Sequence, residues 1–436
     1  MSANDNPAQG GAASVATALE LLSPPVPALT PRSGSRLAGK RAAMVVFSHY
    51  PDDPRPRRAA EALLKEGMRV DLICEGEEKS PKREMMDRLE IIRIPIHHHR
   101  GGALSYAYQY SAFIMISAAI LAWRSLRRRY DLVYVHNMPD ILVVSALLPK
   151  LFGAKVILDQ HDPMPELMMT IFNMDERSFG VRVIRSLEKW SIARANLVIT
   201  VNVACKRIFS SRSCSSDKIG VVMNSPDEEI FPFQTRPLRA SLDQAPNRRF
   251  VIMYHGSLVE RNGLDLAVDA LALVQDAIPG AELRIYGHQT PFLERVMEQV
   301  RSKGHESNVK YLGPRNLEQL VREIEDCDVG VIPNHRNAFT EINTPTRIFE
   351  YLAMGKPVIA PSTPGILDYF TEDSLLLFEP GNSADIARQI EYAAHNYQDA
   401  VRIAERAQQV YLEHTWKQER GTLVELVSEL LSKREA

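Results

Sequence analysis

The sequence has few cysteines, little net charge and no long apolar run. Its 436 residues include 4 cysteines, which are scattered without a C-x-x-C pair. This spacing argues against a disulfide-stabilised scaffold and against a zinc site, and it fits a reducing compartment, so we expect a cytoplasmic protein. The formal net charge of −2 provides no bulk attraction to nucleic acid, and we expect no nucleic-acid partner.

The length predicts two domains, because a single ordinary core does not accommodate 436 residues. Residues 1–41 are rich in Ala, Ser, Pro, Gly and Asn and lack a signal-peptide pattern, which predicts a flexible tail. Residues 224–249 contain four prolines and no apolar period, as expected of an interdomain linker. The predicted domains are therefore 42–235 and 236–410.

Short apolar runs alternate with amphipathic stretches from residue 42 onward. The runs are rich in Val, Ile and Leu, which is typical of parallel strands covered on both faces. Alternation with helices indicates two doubly wound, Rossmann-like α/β domains, and ligands of such sheets bind beyond the carboxyl ends of the strands. The predicted strands are 43–47, 70–74, 132–136, 155–158, 197–201, 219–223, 250–254, 282–286, 309–312, 329–332, 357–360 and 375–378.

Residues 112–123 form the most apolar stretch. The stretch is shorter than the ~18–20 residues that cross a bilayer, and four arginines follow between positions 124 and 129. Two interpretations stay open. The segment 106–129 is either a core helix that ends in a solvated basic turn, or a helix that leans on an anionic membrane face with its arginines near the phosphates.

Residues 251–265, V-I-M-Y-H-G-S-L-V-E-R-N-G-L-D, predict a strand that ends near Gly256 and a helix that begins near Gly263. Glycine lets a phosphate approach the backbone, and a helix N-terminus favours negative charge. Arg261 adds a guanidinium suited to a pyrophosphate. The alternative is an ordinary strand–turn–helix connection with a surface arginine.

Residues 342–360 contain a second candidate site on a predicted helix. Thr344 is expected to cap this helix and Pro345 to occupy its first position. Arg347 and Glu350 are then neighbours on one face. The Glu350 carboxylate could accept both hydroxyls of a ribose, and Arg347 could meet a phosphate. The alternative is a surface ion pair of little energetic value.

Residues 155–166 place Asp159, His161 and Asp162 at the end of a buried strand. His161 could bond a substrate hydroxyl or a developing charge, and Asp162 could orient it. The alternative is local capping by Asp162 and a structural histidine. The histidines at 97–99 are adjacent, and alternating side chains of an extended segment cannot all face one ion, so we predict no metal site.

Together these segments resemble family 4 of the glycosyltransferases, which have the GT-B fold. The strongest match is T-P-T-R-I-F-E-Y-L-A-M-G-K-P-V-I-A at 344–360, which is similar to the family's donor-binding helix and strand. M-N-S-P-D-E-E-I-F at 223–231 resembles the interdomain entry, and D-P-R-P-R-R-A-A-E-A-L-L-K-E-G-M-R-V at 53–70 resembles the acceptor-side loop and helix. Tyr286–Gly287 resembles a strand end that lines the nucleobase. The resemblance covers nearly all of residues 42–432.

The resemblance implies transfer of a sugar, with retention, from a nucleotide-diphosphate donor, and it implies no metal and no further cofactor. Glu350 would bind the donor ribose, Arg261 and Arg347 would contact the pyrophosphate, and His161 would lie beside the transferred sugar. The C-terminal helix, assigned to residues 411–436, would cross back onto the first domain.

The sequence departs from the family pattern at three positions. Ile342 stands where the family has the first of two glutamates, and a local shift would let Glu341 serve instead. Ser257 and Asn262 stand where the family has Arg and Lys. The predicted catalytic residues are therefore His161, Asp162 and Glu341. The predicted donor-binding residues are Gly256, Ser257, Arg261, Asn262, Tyr286, Gly287, Thr344, Arg347 and Glu350.

We therefore expect a glycosyltransferase that acts on a hydroxyl acceptor. The basic apolar segment 106–129 points to a lipid-linked or growing surface glycan on the inner membrane face. Two alternatives stay open: a catalytically degenerate protein that binds sugar nucleotides, and a sugar-nucleotide epimerase of the same architecture.

Overall fold

The computed structural model describes residues 34–77, 80–96, 103–235 and 248–432. The histidines at 97–99 lie outside these ranges. An 8-stranded sheet forms the first half of the chain and a 6-stranded sheet the second, so the expected pair of α/β domains is confirmed. The first-half strands are β1 (Arg41–His49), β2 (Arg69–Glu75), β3 (Arg83–Met86), β4 (Leu89–Ile94), β5 (Leu132–His136), β6 (Lys155–Gln160), β7 (Leu197–Thr200) and β8 (Ile219–Val221).

The first sheet has the order β3-β4-β2-β1-β5-β6-β7-β8, and each pair is parallel except β3 with β4. All six strands predicted for this half are present, with ends within two residues of the prediction. The hairpin β3–β4 was not among them. The helices of this half are α1 (Pro54–Lys65), α2 (Ala103–Ser125), α3 (Leu147–Leu151), α4 (Met164–Phe172), α5 (Phe179–Arg194) and α6 (Val203–Arg212).

All strand pairs of the second sheet are parallel. Each strand of this sheet is therefore joined to the next by a crossover connection. Its strands, in the spatial order β11-β10-β9-β12-β13-β14, are β9 (Phe250–His255), β10 (Ala281–Tyr286), β11 (Val309–Gly313), β12 (Val329–Val331), β13 (Val358–Pro361) and β14 (Leu376–Phe378). The helices are α7 (Leu264–Val274), α8 (Pro291–Ser302), α9 (Leu317–Asp326), α10 (Thr346–Ala353), α11 (Pro364–Leu367), α12 (Ser383–His395), α13 (Tyr397–Glu413) and α14 (Trp416–Ser432).

Strand β1 shows why these strands are apolar on both faces. Met44 and Val46 pack into a cluster with α1, while Val45 and Phe47 pack into another cluster with α2. Helices cover both sides of the sheet, so alternate side chains reach two separate cores. Leu37 is buried in the α1 cluster, and residues 34–41 therefore pack with the first domain rather than extending as a tail.

The end of the chain is divided differently from the prediction. One helix continues to Glu413 and the last helix begins at Trp416, whereas the C-terminal helix was assigned from residue 411. The break lets the two helices serve different cores. Tyr411 on α13 is buried in the second domain, while Leu423 and Val427 on α14 are buried beside α1 in the first.

The 23 residues of α2 extend beyond the apolar stretch seen in the sequence. Among the described residues, no helix combines the length and apolar character needed to cross a membrane. Arg124 is buried and its guanidinium lies 2.9 Å from Asp71 Oδ2 and 2.8 Å from Glu90 Oε2. The expectation that Arg124 faces solvent or lipid phosphate is therefore wrong: this residue fastens α2 to β2 and β4.

Candidate functional site

A cavity of about 300 Å³ lies between the two domains, and we call it the central cavity. It is lined from the first domain by residues that follow β1 and β6, from the interdomain segment by residues between 224 and 231, and from the second domain by α10 and Leu317. The lining side chains used below are Arg55, Arg58, His161, Asp162 and Glu350. The carboxyl ends of parallel strands thus meet in a crevice, where ligands of open α/β sheets bind.

Glu350 points into the central cavity, and its side chain is 16% exposed. Its Oε2 atom lies 3.4 Å from Nε2 of His255, at the end of β9.

Thr344 was expected to cap α10, and it does not. Pro345 is the residue before its first turn, and the Thr344 hydroxyl donates instead to the carbonyl of Gly365 at 2.7 Å.

Burial moves the pKa values of this pair in opposite directions. It raises the pKa of Glu350 to about 7, although the positive charges of Arg347 and Arg58 act against it. Burial together with the charge of Arg347 lowers the pKa of His255 to about 3. His255 is therefore uncharged at neutral pH, and it does not form an ion pair with the Glu350 carboxylate.

Arg347 folds back onto the end of β9. Its guanidinium donates to the His255 carbonyl at 2.8 Å and to Asn334 Oδ1 at 3.4 Å, and it lies 5.0 Å from the centre of the Tyr254 ring. Within the described residues Arg347 and Glu350 form no ion pair, so the surface-pair interpretation is wrong. Arg347 borders Gly256, where a Cβ would contact its Cδ at 3.2 Å.

The loop after β9 is closed by its own side chains. Gly256 has a φ of +117°, a conformation that favours glycine. The Ser257 carbonyl accepts hydrogen bonds from Asn262 Nδ2 at 2.8 Å and from the Tyr254 hydroxyl at 3.0 Å. Asn262 therefore shapes the loop, and the Gly256 amide donates to the Tyr286 carbonyl at 3.0 Å.

Arg261 lies between the domains. It belongs to the short turn Glu260–Asn262 that precedes α7, and its guanidinium is 5.9 Å from the centre of the Phe339 ring. Burial lowers the pKa of Arg261, and the negative charge of Asp162 opposes this effect. The structure thus brings Arg261 of the second domain near Asp162 of the first.

A second cavity of about 410 Å³ opens beside the loop after β9, and we call it the side cavity. Gly256, Ser257, Tyr286 and Gly287 line it together with Arg315. Tyr286 is 1% exposed. Its hydroxyl bonds Glu323 at 2.7 Å and Arg315 covers its ring, so this side chain is engaged within the domain.

Gly287 permits the close approach of two loops at the side cavity. Its φ is +156°, and a Cβ at this position would overlap the carbonyl oxygen of Gly256. Only glycine fits here without displacing the loop after β9. The signal for this residue is the strand end Tyr286–Gly287 noted in the sequence.

His161 and Asp162 both line the central cavity. The side-chain oxygen of Asn137 accepts hydrogen bonds from their backbone amides, at 3.1 Å and 3.5 Å. In the described residues the Asp162 carboxylate accepts no hydrogen bond from the His161 ring, and Nδ1 of His161 has no partner among them. The loop is therefore positioned by Asn137, which the sequence analysis did not select.

Glu341 does not line the central or the side cavity. Its carboxylate pairs with Arg336 at 2.8 Å. The neighbouring Ile342, at the position of the missing family glutamate, packs against the core of the first domain. The structure thus brings together His161, Asp162, Arg261 and Glu350, but it places Glu341 outside this group.

A buried ion pair that was not predicted from the sequence lies at the wall of the central cavity. Arg55 is bound by Asp159, with Nη2–Oδ1 at 2.6 Å, and it donates to Asn224 Oδ1 at 2.8 Å. Although burial acts in the opposite direction, the Arg55 guanidinium holds the pKa of the Asp159 carboxyl well below its usual range. Arg55 thereby joins the end of β6 to the interdomain segment. The D-P-R-P-R-R motif was the available signal.

One described cluster has residue types that bind metals: His136, Asp159 and His161, whose ligand atoms lie within 4.8 Å of one another. The Asp159 carboxylate is already neutralised by Arg55. A cation at this position would meet the guanidinium, which disfavours metal binding. Burial lowers the pKa of His136, so that residue is an uncharged part of the β5 strand end.

Comparison with known proteins agrees with this geometry. The family described as "Glycosyltransferase Family 4" matches residues 57–229, and the family described as "Glycosyl transferases group 1" matches residues 239–410. A curated relative, the "Putative teichuronic acid biosynthesis glycosyltransferase TuaH" of Bacillus subtilis (strain 168), is 32% identical over 57 residues. This match spans 13% of the present chain and 14% of that protein.

Solved structures share the fold over most of their length. Sucrose-phosphate synthase from Thermosynechococcus elongatus superposes with a TM-score of 0.72 at 15% identity, covering 90% of this chain and 99% of that one. Anabaena Alr3699/HepE in complex with UDP-glucose gives 0.65 at 16% identity, covering 89% and 99%. At these identities the likeness shows the fold alone. With both halves matched by family, the chain belongs to family 4 of the glycosyltransferases and has the GT-B fold.

Proposed function

We propose that this glycosyltransferase transfers a hexose, with retention, from a nucleotide-diphosphate sugar to a hydroxyl acceptor on a lipid-linked or growing surface glycan. The observation that carries the proposal is the position of the Glu350 carboxylate, which lines the interdomain cavity opposite His161. Ionised, it can accept hydrogen bonds from two vicinal hydroxyls of a ribose.

The donor diphosphate fits between the loop after β9 and α10. Arg347 borders Gly256 and donates to the His255 carbonyl at the end of β9, and Arg261 lies in the turn that follows this loop. These groups would stabilise the negative charge that develops on the departing diphosphate, which is the main electrostatic demand of the transfer. They supply this stabilisation without a metal ion, and we propose a metal-independent reaction with no further cofactor.

The nucleobase fits the side cavity, where Gly287 leaves room beside the backbone of β10. The similar Anabaena protein has been solved with UDP and with UDP-glucose, which supports a nucleotide sugar as the partner here. The transferred sugar would then extend from the diphosphate toward His161 and Asp162 in the central cavity. Closure of the domains would exclude water from the reacting centre.

The acceptor assignment rests on the first domain. Trp123 and Leu126 at the end of α2 are 53% and 70% exposed, and Arg127 stacks on Trp123 at 3.8 Å. An exposed aromatic residue beside arginines suits peripheral contact with an anionic membrane through residues 106–129. Together with the name of the teichuronic acid relative, this supports a lipid-linked or surface glycan acceptor on the inner membrane face.

A second candidate function is donor binding without transfer. It is favoured by Ile342, which replaces the first family glutamate and packs into the first-domain core, and by Glu341, which lies outside both cavities. Such a protein would bind nucleotide sugars and neither hydrolyse nor transfer them across a panel of acceptors.

The test combines ligand binding with turnover. Thermal shift against common nucleotide sugars identifies the donor, because a ligand that binds the native state raises the melting temperature. Turnover is then measured for E350A, R261A and the double variant, with R402A/E405A on the solvent side of α13 as the matched control. We expect donor turnover to fall by about 100-fold in the double variant and to be unchanged in the control. Full turnover by the double variant would exclude this donor site.

A further inference from the structure

A loop of the second domain is bound by a buried asparagine of the first domain. We call residues 337–344 the anchored loop, and it leads into α10, which lines the central cavity. Asn202 follows β7 and is fully buried. Its Nδ2 atom donates to the Ile342 carbonyl at 2.8 Å and to the Thr344 hydroxyl at 3.1 Å. A first-domain side chain thus contacts the second domain directly before the helix that carries Glu350.

The orientation of the Asn202 amide is fixed by a second role of this residue. Asn202 is the N-cap of α6, and its Oδ1 atom accepts a hydrogen bond from the Cys205 amide at 2.7 Å. Because a backbone donor occupies this oxygen, the NH2 group is the one that faces the anchored loop. A residue that caps α6 without an NH2 group would therefore keep the helix and lose these two bonds.

Thr170, near the end of α4, makes a second contact with the anchored loop. Its hydroxyl donates to Asn337 Oδ1 at 3.0 Å and accepts from the Phe339 amide at 3.3 Å. Helix α4 follows the loop that carries His161 and Asp162. The first-domain side of the central cavity and the contacts with the anchored loop therefore come from neighbouring segments of one domain.

The anchored loop is held within its own domain as well. The Gly365 amide donates to the Glu341 carbonyl at 2.9 Å, and the Thr344 hydroxyl donates to the Gly365 carbonyl at 2.7 Å. A Cβ on Gly365 would lie 2.6 Å from the carbonyl carbon of Ile342, so the loop and the start of α11 are in close contact. The loop is therefore part of the second domain, and its bonds to Asn202 fix the position of that domain relative to the first.

Ile342 extends this contact with an apolar side chain. It stands where the family has the first of two glutamates, and here it packs against the core of the first domain. A glutamate at this position would bring a carboxylate against apolar side chains, which disfavours the contact because the charge loses its water. The departure from the family pattern thus removes a carboxylate and adds an interdomain contact at the same residue.

We propose that Asn202 is a positioning residue, which sets the distance across the central cavity between His161 and Asp162 of the first domain and Glu350 of the second. The inference rests on the proposed function, since these groups are assigned there to the transferred sugar and the donor ribose. The proposed donor contacts belong to the second domain. Loss of the Asn202 bonds should therefore leave donor affinity in place and slow the transfer, which needs both sides of the cavity.

The experiment compares the full chain with its variants N202S and N202D. Serine and aspartate both cap helices, and neither has the NH2 group that binds the anchored loop. We expect donor affinity in calorimetry to stay within about twofold of the wild type, and kcat to fall by about tenfold or more. The matched control is N382S, which makes the same change at the N-cap of α12, where Asn382 accepts from the Asp385 amide and donates to Glu379 of the same domain.

The position of the domains is measured without substrate, by pulsed electron paramagnetic resonance between spin labels at S186C on α5 and A384C on α12. Both positions are exposed, and C214S removes the half-buried thiol while the other three cysteines are buried. We expect the distance distribution to shift or broaden in N202S and N202D and to match the wild type in N382S.

An unchanged distance distribution in both Asn202 variants would overturn the proposal. Wild-type kcat despite a changed distribution would also overturn it, because Asn202 would then have a structural role alone, and so would a loss of donor affinity as large as the loss of kcat. A wild-type chain that binds donor and transfers no sugar would contradict the proposed function, and the distance comparison would then decide by itself whether Asn202 positions the domains.

Discussion

The Glu350 carboxylate lies 3.4 Å from Nε2 of the buried His255, on the floor of the central cavity. Burial raises the pKa of the acid to about 7 and, with Arg347, lowers that of the imidazole to about 3. In the absence of donor, the acid is therefore partly protonated at neutral pH while the imidazole is uncharged. The proposed ribose-binding carboxylate thus lies beside an uncharged imidazole, and the charge of Glu350 changes with pH in the physiological range.

Donor affinity should fall as the pH drops below about 7. A protonated Glu350 can no longer accept hydrogen bonds at both oxygens, so affinity is expected to decrease by up to tenfold for each pH unit below the pKa. Calorimetric titration of the nucleotide that stabilises the protein most, across this range of pH, measures the effect. The E350Q variant should bind weakly with no such slope. An equal slope in wild type and E350Q would assign the dependence to another group.

Buried Glu350 should lower the free energy of unfolding at neutral pH. The folded pKa of Glu350 is above its ordinary value of 4.5, so the native state binds more protons than the unfolded state between about pH 4.5 and pH 7. The free energy of unfolding therefore decreases as pH rises through that window. E350Q removes this pH dependence. We expect E350Q to be more stable than wild type by about 1–3 kcal/mol above pH 7, with the difference vanishing below pH 4.5.

Thermal melting of both proteins across the pH range checks this prediction. E405Q on the exposed side of α13 is the matched control and should follow the wild type. A constant difference between E350Q and wild type at every pH would mean that packing, rather than the ionisation of Glu350, separates them.

Removing Arg55 should destabilise the first domain. R55M leaves the Asp159 carboxylate buried without its partner and should cost about 3–5 kcal/mol. The additional change D159N removes the uncompensated charge and should recover part of the loss. Chemical denaturation of wild type, both single variants and R55M/D159N gives the coupling energy. Additive single and double effects would show that the two side chains do not depend on each other.

The two arginines at the end of α2 should separate stability from membrane contact. R124A removes the buried guanidinium shared by Asp71 and Glu90, which keep Arg41, Arg83 and Arg128 as partners, and should cost about 1–3 kcal/mol. R127A removes an exposed side chain that stacks on Trp123, and its effect on stability should stay within about 1 kcal/mol. Denaturation and vesicle flotation test both. Weaker flotation is expected for R127A, and unchanged flotation would exclude this arginine from the membrane contact.

Gly287 should not tolerate a side chain. In G287A the new Cβ would overlap the carbonyl oxygen of Gly256, so the loop after β9 must move and donor affinity should fall by about tenfold or more. The matched control is G304A, which also has a positive φ, +73°, and has no atom within 4 Å of the new Cβ. Thermal shift with donor distinguishes them. A wild-type shift in G287A would show that the two loops need not approach.

The α/β architecture was predictable because it is written in local patterns. The apolar run of β1, for example, has the length and residue types of a strand covered on both faces, and its neighbours were found to within two residues. The break between α13 and α14 was not predictable from periodicity, since both helices are amphipathic and only their burial in different domains separates them.

The candidate site was partly predictable. Glu350 was selected from its place on a helix and from the family motif, and the structure puts it in the cavity. Arg55 was not selected, because its partner Asp159 lies 104 positions away in the sequence. Thr344 was assigned to a helix cap, yet it bonds Gly365 on another segment. The Arg55–Asp159 ion pair and the Thr344–Gly365 hydrogen bond both depend on which segments become neighbours when the sheets form.

The sequence by itself determined the two α/β domains and the donor-helix motif, because apolar periodicity and turn residues act over a few positions of the chain. Only the tertiary structure decided that Arg347 bends to β9 rather than to Glu350, that Glu341 lies outside the cavity, and that Arg124 is buried while Arg127 is exposed. The physical reason is that burial and charge pairing are set by segments distant in sequence, which meet only when both sheets have formed.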